Sequence, residues 1–179
     1  MHVMRLAPCA VLAALVVGCA DQPLTPAEDS TNSAFAVGGT DRPFKAALNV
    51  EVHWQYDWAD PVCPVLTLWA GLGTASHLGE VYVQGAHCAP ITRPTYENGH
   101  WQLTAANGDV LTLEYGGWPA NLGASLPLPM QVANGTGRFA DASGTIYVDD
   151  FKLVGEWGDD GLPIEPWFGW FSFEGAISY

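Results

Sequence analysis

Four histidines follow the first few residues, and they fall on four separate segments: His53, His77, His87 and His100. No two have the i, i+4 spacing with which a helix grips zinc, and no third ligand accompanies any pair. A metal site is therefore not expected. Serines are frequent, but none sits in a Gly-x-Ser-x-Gly elbow. No glycine loop has the strand-before, helix-after context that cradles phosphates, so no cofactor is implied. Acids are plentiful as Asp149-Asp150, as Asp159-Asp160 and as Glu165 near Glu156. Adjacent acids on a strand point to opposite faces, so Asp149-Asp150 forms a dyad only across a bulge.

The aromatic residues hold more promise for binding. Trp157 and Trp167 flank a polar stretch, 158–166, that contains Asp159, Asp160 and Glu165. If that stretch rims an opening, the indoles offer apolar area and the acids accept hydrogen bonds from a hydroxyl-bearing ligand. The competing reading buries both rings as core. Two cysteines of the domain, Cys63 and Cys88, form either a disulfide or part of a Cys/His metal site with His87. Two cysteines beside one histidine lack zinc-ligand spacing, and export favours the disulfide.

Charge narrows the partners. Six basic and nineteen acidic side chains give a formal net charge of −13. Phosphate backbones are repelled by such a surface, so nucleic acid is not an expected partner. Hydrophobic residues make up 49% of the 179-residue chain and charged residues 14%, a balance that supplies a core.

A domain over 40–179 must position these side chains. From Phe44 the apolar residues recur at every second position: Phe44, Ala46, Leu48, Val50, Val52 and Trp54. This is a half-buried strand. Further strands are predicted over 65–73, 80–87, 100–105, 110–115, 128–133, 145–154 and 168–178. Between two of them, Asn107-Gly108 supplies the positive φ angles of a type I′ hairpin, hence antiparallel pairing. Hairpin pairing of 65–73 with 80–87 brings Cys63 and Cys88 together. About eight short strands fit a sandwich or a barrel. The apolar first and last strands are costly as exposed edges, and pairing them favours an all-β, eight-stranded antiparallel barrel.

The segment Gly135-Thr136-Gly137-Arg138-Phe139-Ala140-Asp141-Ala142-Ser143-Gly144-Thr145 contains a Gly-x-Gly-Arg-Phe-x-x-Ala-x-Gly pattern. It resembles the turn shared by allene oxide cyclase-like and dirigent-like barrels and by secreted bacterial relatives. Ala75-Ser76-His77-Leu78-Gly79 and Leu103-Thr104-Ala105-Ala106-Asn107-Gly108-Asp109 are similar to segments of those bacterial relatives. The resemblance implies a calycin-like barrel. It makes Gly135, Gly137, Arg138 and Gly144 structural turn residues, with Arg138 paired to a nearby acid.

The N-terminus reads as an export signal. Arg5 precedes a mostly apolar run, Leu6 to Val17, that is too short to span a bilayer. Leu15-Val16-Val17-Gly18-Cys19-Ala20 then resembles the lipobox of bacterial lipoproteins, which makes residues 1–18 a signal peptide and Cys19 the lipidated first residue. Removing Arg5 with the signal leaves five basic and nineteen acidic side chains, net −14. Residues 19–39, rich in Pro, Ser, Thr and acids, form a tether of roughly 25 Å reach. Ala20 after the cysteine points to the outer membrane where the organism has one. The expected protein is thus a lipid-anchored envelope barrel that binds a small apolar or glycan ligand, or a protein partner. Its rival is an allene oxide cyclase-like isomerase or cyclase acting on a lipid-derived substrate. A third alternative is a purely structural envelope protein with a packed barrel.

Overall fold

A computed structural model describes residues 40–90 and 94–179. The signal, Cys19 and the tether lie outside these residues. Nine strands follow in order: β1 (Arg42–Tyr56), β2 (Val65–Ala75), β3 (Gly79–Cys88), β4 (Thr95–Ala105), β5 (Val110–Tyr115), β6 (Trp118–Pro119), β7 (Leu128–Gly135), β8 (Ser143–Trp157) and β9 (Pro163–Ser178). Successive long strands pair antiparallel, and β1 pairs with β9 to close the ring. Eight strands form the barrel, while two-residue β6 attaches to β4. Closure leaves no long edge to recruit another chain.

Period-two alternation sets what fills the barrel. On β1, Phe44, Ala46, Leu48, Val50 and Val52 are buried while Lys45, Ala47, Asn49 and Glu51 are exposed. Opposite them on β9, Trp167, Phe173 and Ile177 are also buried. A fully buried Phe or Leu contributes about 1.5–3 kcal/mol relative to exposure. Ring closure is thus driven by two apolar faces that have no other cover. Register shifts at Val148/Asp150 and Val154/Glu156 bend β8. The first of these bulges falls at the acid pair, and Asp149 and Asp150 are both exposed.

Turn chemistry departs from expectation in one place. Strands β4 and β5 do pair antiparallel, but only Gly108 has a positive φ, +87°, in the turn between them. Asn107 instead uses its side chain: Oδ1 accepts the Asp109 N–H at 3.1 Å, closing a local turn without a type I′ backbone.

The glycine turn seals the barrel end that holds the start of β1. Phe139 is fully buried there, with the ring of Tyr179 4.8 Å away. Gly135 lies against the Phe139 backbone, Gly144 against that of Ala176, and Arg138 Nε stands 3.4 Å from Asp109 Oδ2. Gly137 has φ +58°, and a Cβ there would meet Asp109 Oδ1 at 1.8 Å. Gly137→Val is expected to lower stability by about 1–3 kcal/mol in urea unfolding, since a β-branched residue is strained at that φ. Unchanged stability would remove the glycine requirement.

Cys63 and Cys88 are bonded, with Cα atoms 5.3 Å apart. Leu66 faces Cys88 across the β2–β3 ladder, the hairpin that the spacing called for.

Candidate functional site

Near the Cys63–Cys88 bridge, the interior opens into a cavity of about 100 Å³ at the margin of the packed core. Its lining follows from strand alternation. Thr67 and Trp69 continue the inward face that Val65 begins on β2, and His87 continues that of Val81 and Val83 on β3. Trp101 precedes Leu103 on β4, and Tyr115 follows Leu111 and Leu113 on β5. After the β8 bulge, Phe151 and Leu153 also reach the cavity.

A missing side chain shapes the site. Gly85 faces Trp69 on one neighbouring strand and Trp101 on the other. A Cβ at Gly85 would come within 2.5 Å of Trp69 Nε1, so the indole lies over bare backbone. That lets the Trp69 and Trp101 rings meet with centroids 4.6 Å apart. On the far side, Tyr115 stacks on Trp118 at 3.6 Å, and Trp118 Nε1 donates to the Pro129 carbonyl at 2.8 Å. Strand β6 is short, but this bond fixes it as one wall of the cavity.

Polar atoms are few and of two kinds. His87 Nδ1 and Tyr115 Oη are 2.6 Å apart and satisfy each other. Burial lowers the His87 pKa from 6.5 to about 3, so the imidazole is neutral at physiological pH. Burial also pushes the Tyr115 phenol well above its ordinary value, and it keeps its proton. The pair is thus a neutral hydrogen-bonded unit. The second kind is unpartnered: among the described residues, the buried side-chain atoms lacking a hydrogen-bond partner are Thr67 Oγ1, Trp69 Nε1 and Trp101 Nε1. All three residues line the cavity. Each atom is enclosed by its neighbours, Trp69 Nε1 against the Gly85 backbone, and leaving such a donor or acceptor unpaired costs about 1–3 kcal/mol.

The sequence-based candidates lie elsewhere. Trp157 is 63% exposed and packs edge-on to Trp167 at 4.9 Å, but Trp167 is buried, because it faces Val52 inside the closing seam. Its Nε1 donates to the Glu156 carbonyl at 3.1 Å. The two indoles touch, yet they do not share an exposed rim. The connecting loop is also shorter than expected, because β9 starts at Pro163, opposite Trp157. Asp160 Oδ1 accepts the Leu162 N–H within that turn. Glu165 accepts the Trp54 N–H at 2.7 Å and pairs with His53 Nδ1 at 2.8 Å, while His53 Nε2 lies 2.9 Å from Glu51. The Trp54 N–H, then His53, holds the Glu165 carboxyl below its usual pKa, and Glu165 raises that of His53. These three groups tie β1 to β9 on the outer face. His77, in left-handed backbone, bonds the Pro43 carbonyl at 3.0 Å and is a turn residue.

Comparison with protein-family models finds no match, and comparison with curated proteins finds none either. Among solved structures, the chain is similar to a pterocarpan synthase dirigent protein at 14% identity and a TM-score of 0.41. The match covers 78% of this chain and 86% of that one. The barrel assignment itself rests on the strand pairing: eight antiparallel strands, each bonded to its neighbour, with β9 returning to β1.

Proposed function

We propose that the protein is a lipid-anchored envelope barrel that holds one small, mainly apolar ligand in the cavity beside the Cys63–Cys88 bridge. One observation carries the binding half of this reading: Trp69, His87, Trp101, Tyr115 and Phe171 line a single aromatic hollow of about 100 Å³. A purely structural barrel fills its interior with side chains, whereas an eight-stranded barrel that keeps a hollow has room for one small ligand. Of the two ligand classes expected, the apolar one suits a lining rich in Trp, Tyr and Phe and about 100 Å³ of space. Native mass spectrometry of the barrel, purified from its natural host, is the direct test. A retained small organic mass is expected, and a bare polypeptide mass under the gentlest conditions would count against binding.

The anchoring half is supported by the lipobox-like sequence around Cys19. Cys19→Ser is expected to abolish acylation and release the protein from membranes, as read by fractionation after a salt wash. Persistent membrane association would overturn the lipoprotein reading.

An isomerase of the allene oxide cyclase type is the second reading, and the inward-facing His87–Tyr115 pair favours it. Such a neutral pair supplies a polar anchor for a substrate oxygen inside an otherwise aromatic cavity. Turnover that is lost in His87→Phe while ligand binding persists would distinguish this reading from simple binding.

A further inference from the structure

The ring has no long edge, but it has a short one. Strand β8 pairs with β9 along almost its whole length, whereas β7 reaches it only from Thr145 to Val148. Sequence marks that limit: β7 starts at Leu128, directly after Pro127, which has no N–H to give to a ladder. Beyond Val148, no strand among the described residues lies on the free side of β8. Burial follows the gap, since every residue from Lys152 to Trp157 is exposed, on both faces of the strand. Backbone N–H and C=O groups along such a stretch are a template for another strand.

The register of an added strand is restricted. Strand β7 occupies the place beside Val148, so an antiparallel partner must leave the ladder before that point. A second copy of β8 meets this demand when a two-fold axis passes through Val154. Trp157 of the second copy, the last residue of its β8, then falls opposite Phe151, and its chain turns away at 158–162. In this register the strand complements itself. Lys152 of each copy faces Glu156 of the other, Phe151 faces Trp157, and Val154 faces Val154. Among the described residues, neither Lys152 nor Glu156 belongs to an ion pair, so both charges are available. Phe168, the β9 neighbour of Val154, is exposed and extends the valine pair into an apolar row of four. We propose that the protein forms a dimer with a second copy of itself, joined antiparallel along this edge of β8 about an axis at Val154. The paired stretch is short and each chain is strongly acidic, so the dimer is a weak one, with a dissociation constant on the order of micromolar.

Cross-linking in the host cell tests the axis. Val154→Cys is expected to give a covalent dimer under mild oxidation, read as a doubled mass on a non-reducing gel. Tyr147→Cys is the control. Tyr147 is similarly exposed, 40% against 43%, on the same strand but beside β7, and its variant is expected to stay monomeric. Sedimentation of the full chain in excess mild detergent is expected to show a monomer–dimer equilibrium. Lys152→Glu should weaken it about ten-fold, as should Glu156→Lys, because symmetry turns two attractive pairs into two repulsive ones. The double variant Lys152→Glu/Glu156→Lys should return to within about three-fold of the native value. Both positions are exposed, so the fold tolerates the changes.

A monomer at about 100 μM would overturn self-pairing. Equal cross-linking of the two cysteine variants would overturn it as well. So would a trimer or a longer assembly, since a two-fold joint closes at two copies. Unchanged affinity in the single charge variants, or no recovery in the double one, would overturn the register at Val154.

Discussion

Acidification is expected to destabilise the barrel through His87, progressively as pH falls from about 6.5 toward 3. The sign follows from proton counting. In the unfolded chain the imidazole titrates at its ordinary value, 6.5; in the barrel, burial holds it near 3. Between those values the unfolded state binds a proton that the folded state refuses. The contribution of His87 to stability is therefore fully present above pH 6.5 and falls as pH drops toward 3, with a total loss of several kcal/mol. That is a large share of the 5–15 kcal/mol typical of a folded domain. Carboxylates such as Glu165, whose folded pKa is depressed, add losses at lower pH. A His87→Asn variant isolates the imidazole, since its amide still offers Tyr115 a hydrogen-bond partner. Urea unfolding at pH 7, 6, 5 and 4 should give a profile much flatter for the variant than for the native chain. Parallel profiles would show that His87 is not buried as described.

Removal of the Cys63–Cys88 bond is the other large effect. The bond spans 25 residues, and the chain-entropy relation assigns such a loop about 3.5 kcal/mol at 25 °C. A Cys63→Ala/Cys88→Ala double variant is expected to lose about that much, and roughly 10 °C in Tm. The loss should also reach the cavity, because the bridge pins the start of β2 to the end of β3, close to Thr67 and His87. Tryptophan emission should shift as the walls loosen. A stability change below about 1 kcal/mol would mean that the β2–β3 ladder holds this corner unaided.

Most of the architecture was legible because a two-residue period is a strong signal. The β1 alternation, the Cys63–Cys88 hairpin and the pairing of first and last strands all follow from which residues must avoid water. The cavity was not legible, although its parts were present in the same pattern. Thr67, His87 and Tyr115 each occupy an inward position in a run of apolar neighbours, and a polar residue in that place is the signal that went unused. What the pattern cannot give is depth along the barrel. Nothing in it says that Trp69 and Trp101 meet across Gly85, since that depends on the relative stagger of three strands. Trp157 and Trp167 differ in exposure for a related reason. Their flanking of a polar turn is local, whereas the burial of Trp167 comes from Val52, far away in sequence.

The seam between β1 and β9 also governs how the barrel is made. The other pairings in the ring join strands close in the chain, β5 with β7 across the short β6 included, and simple hairpins of this kind close in microseconds. The seam instead joins Arg42 to Ile177 and Val52 to Trp167, so almost the whole domain must be in hand before it forms. Non-local pairing of this kind slows folding, because the loop-closure entropy is lost before the contacts repay it. During that interval the apolar face of β1 stands uncovered on an open sheet, the state most prone to cross-pair with another chain. Substitutions that weaken the seam will thus show first as poor yield and aggregation during biogenesis, well before they alter the finished barrel.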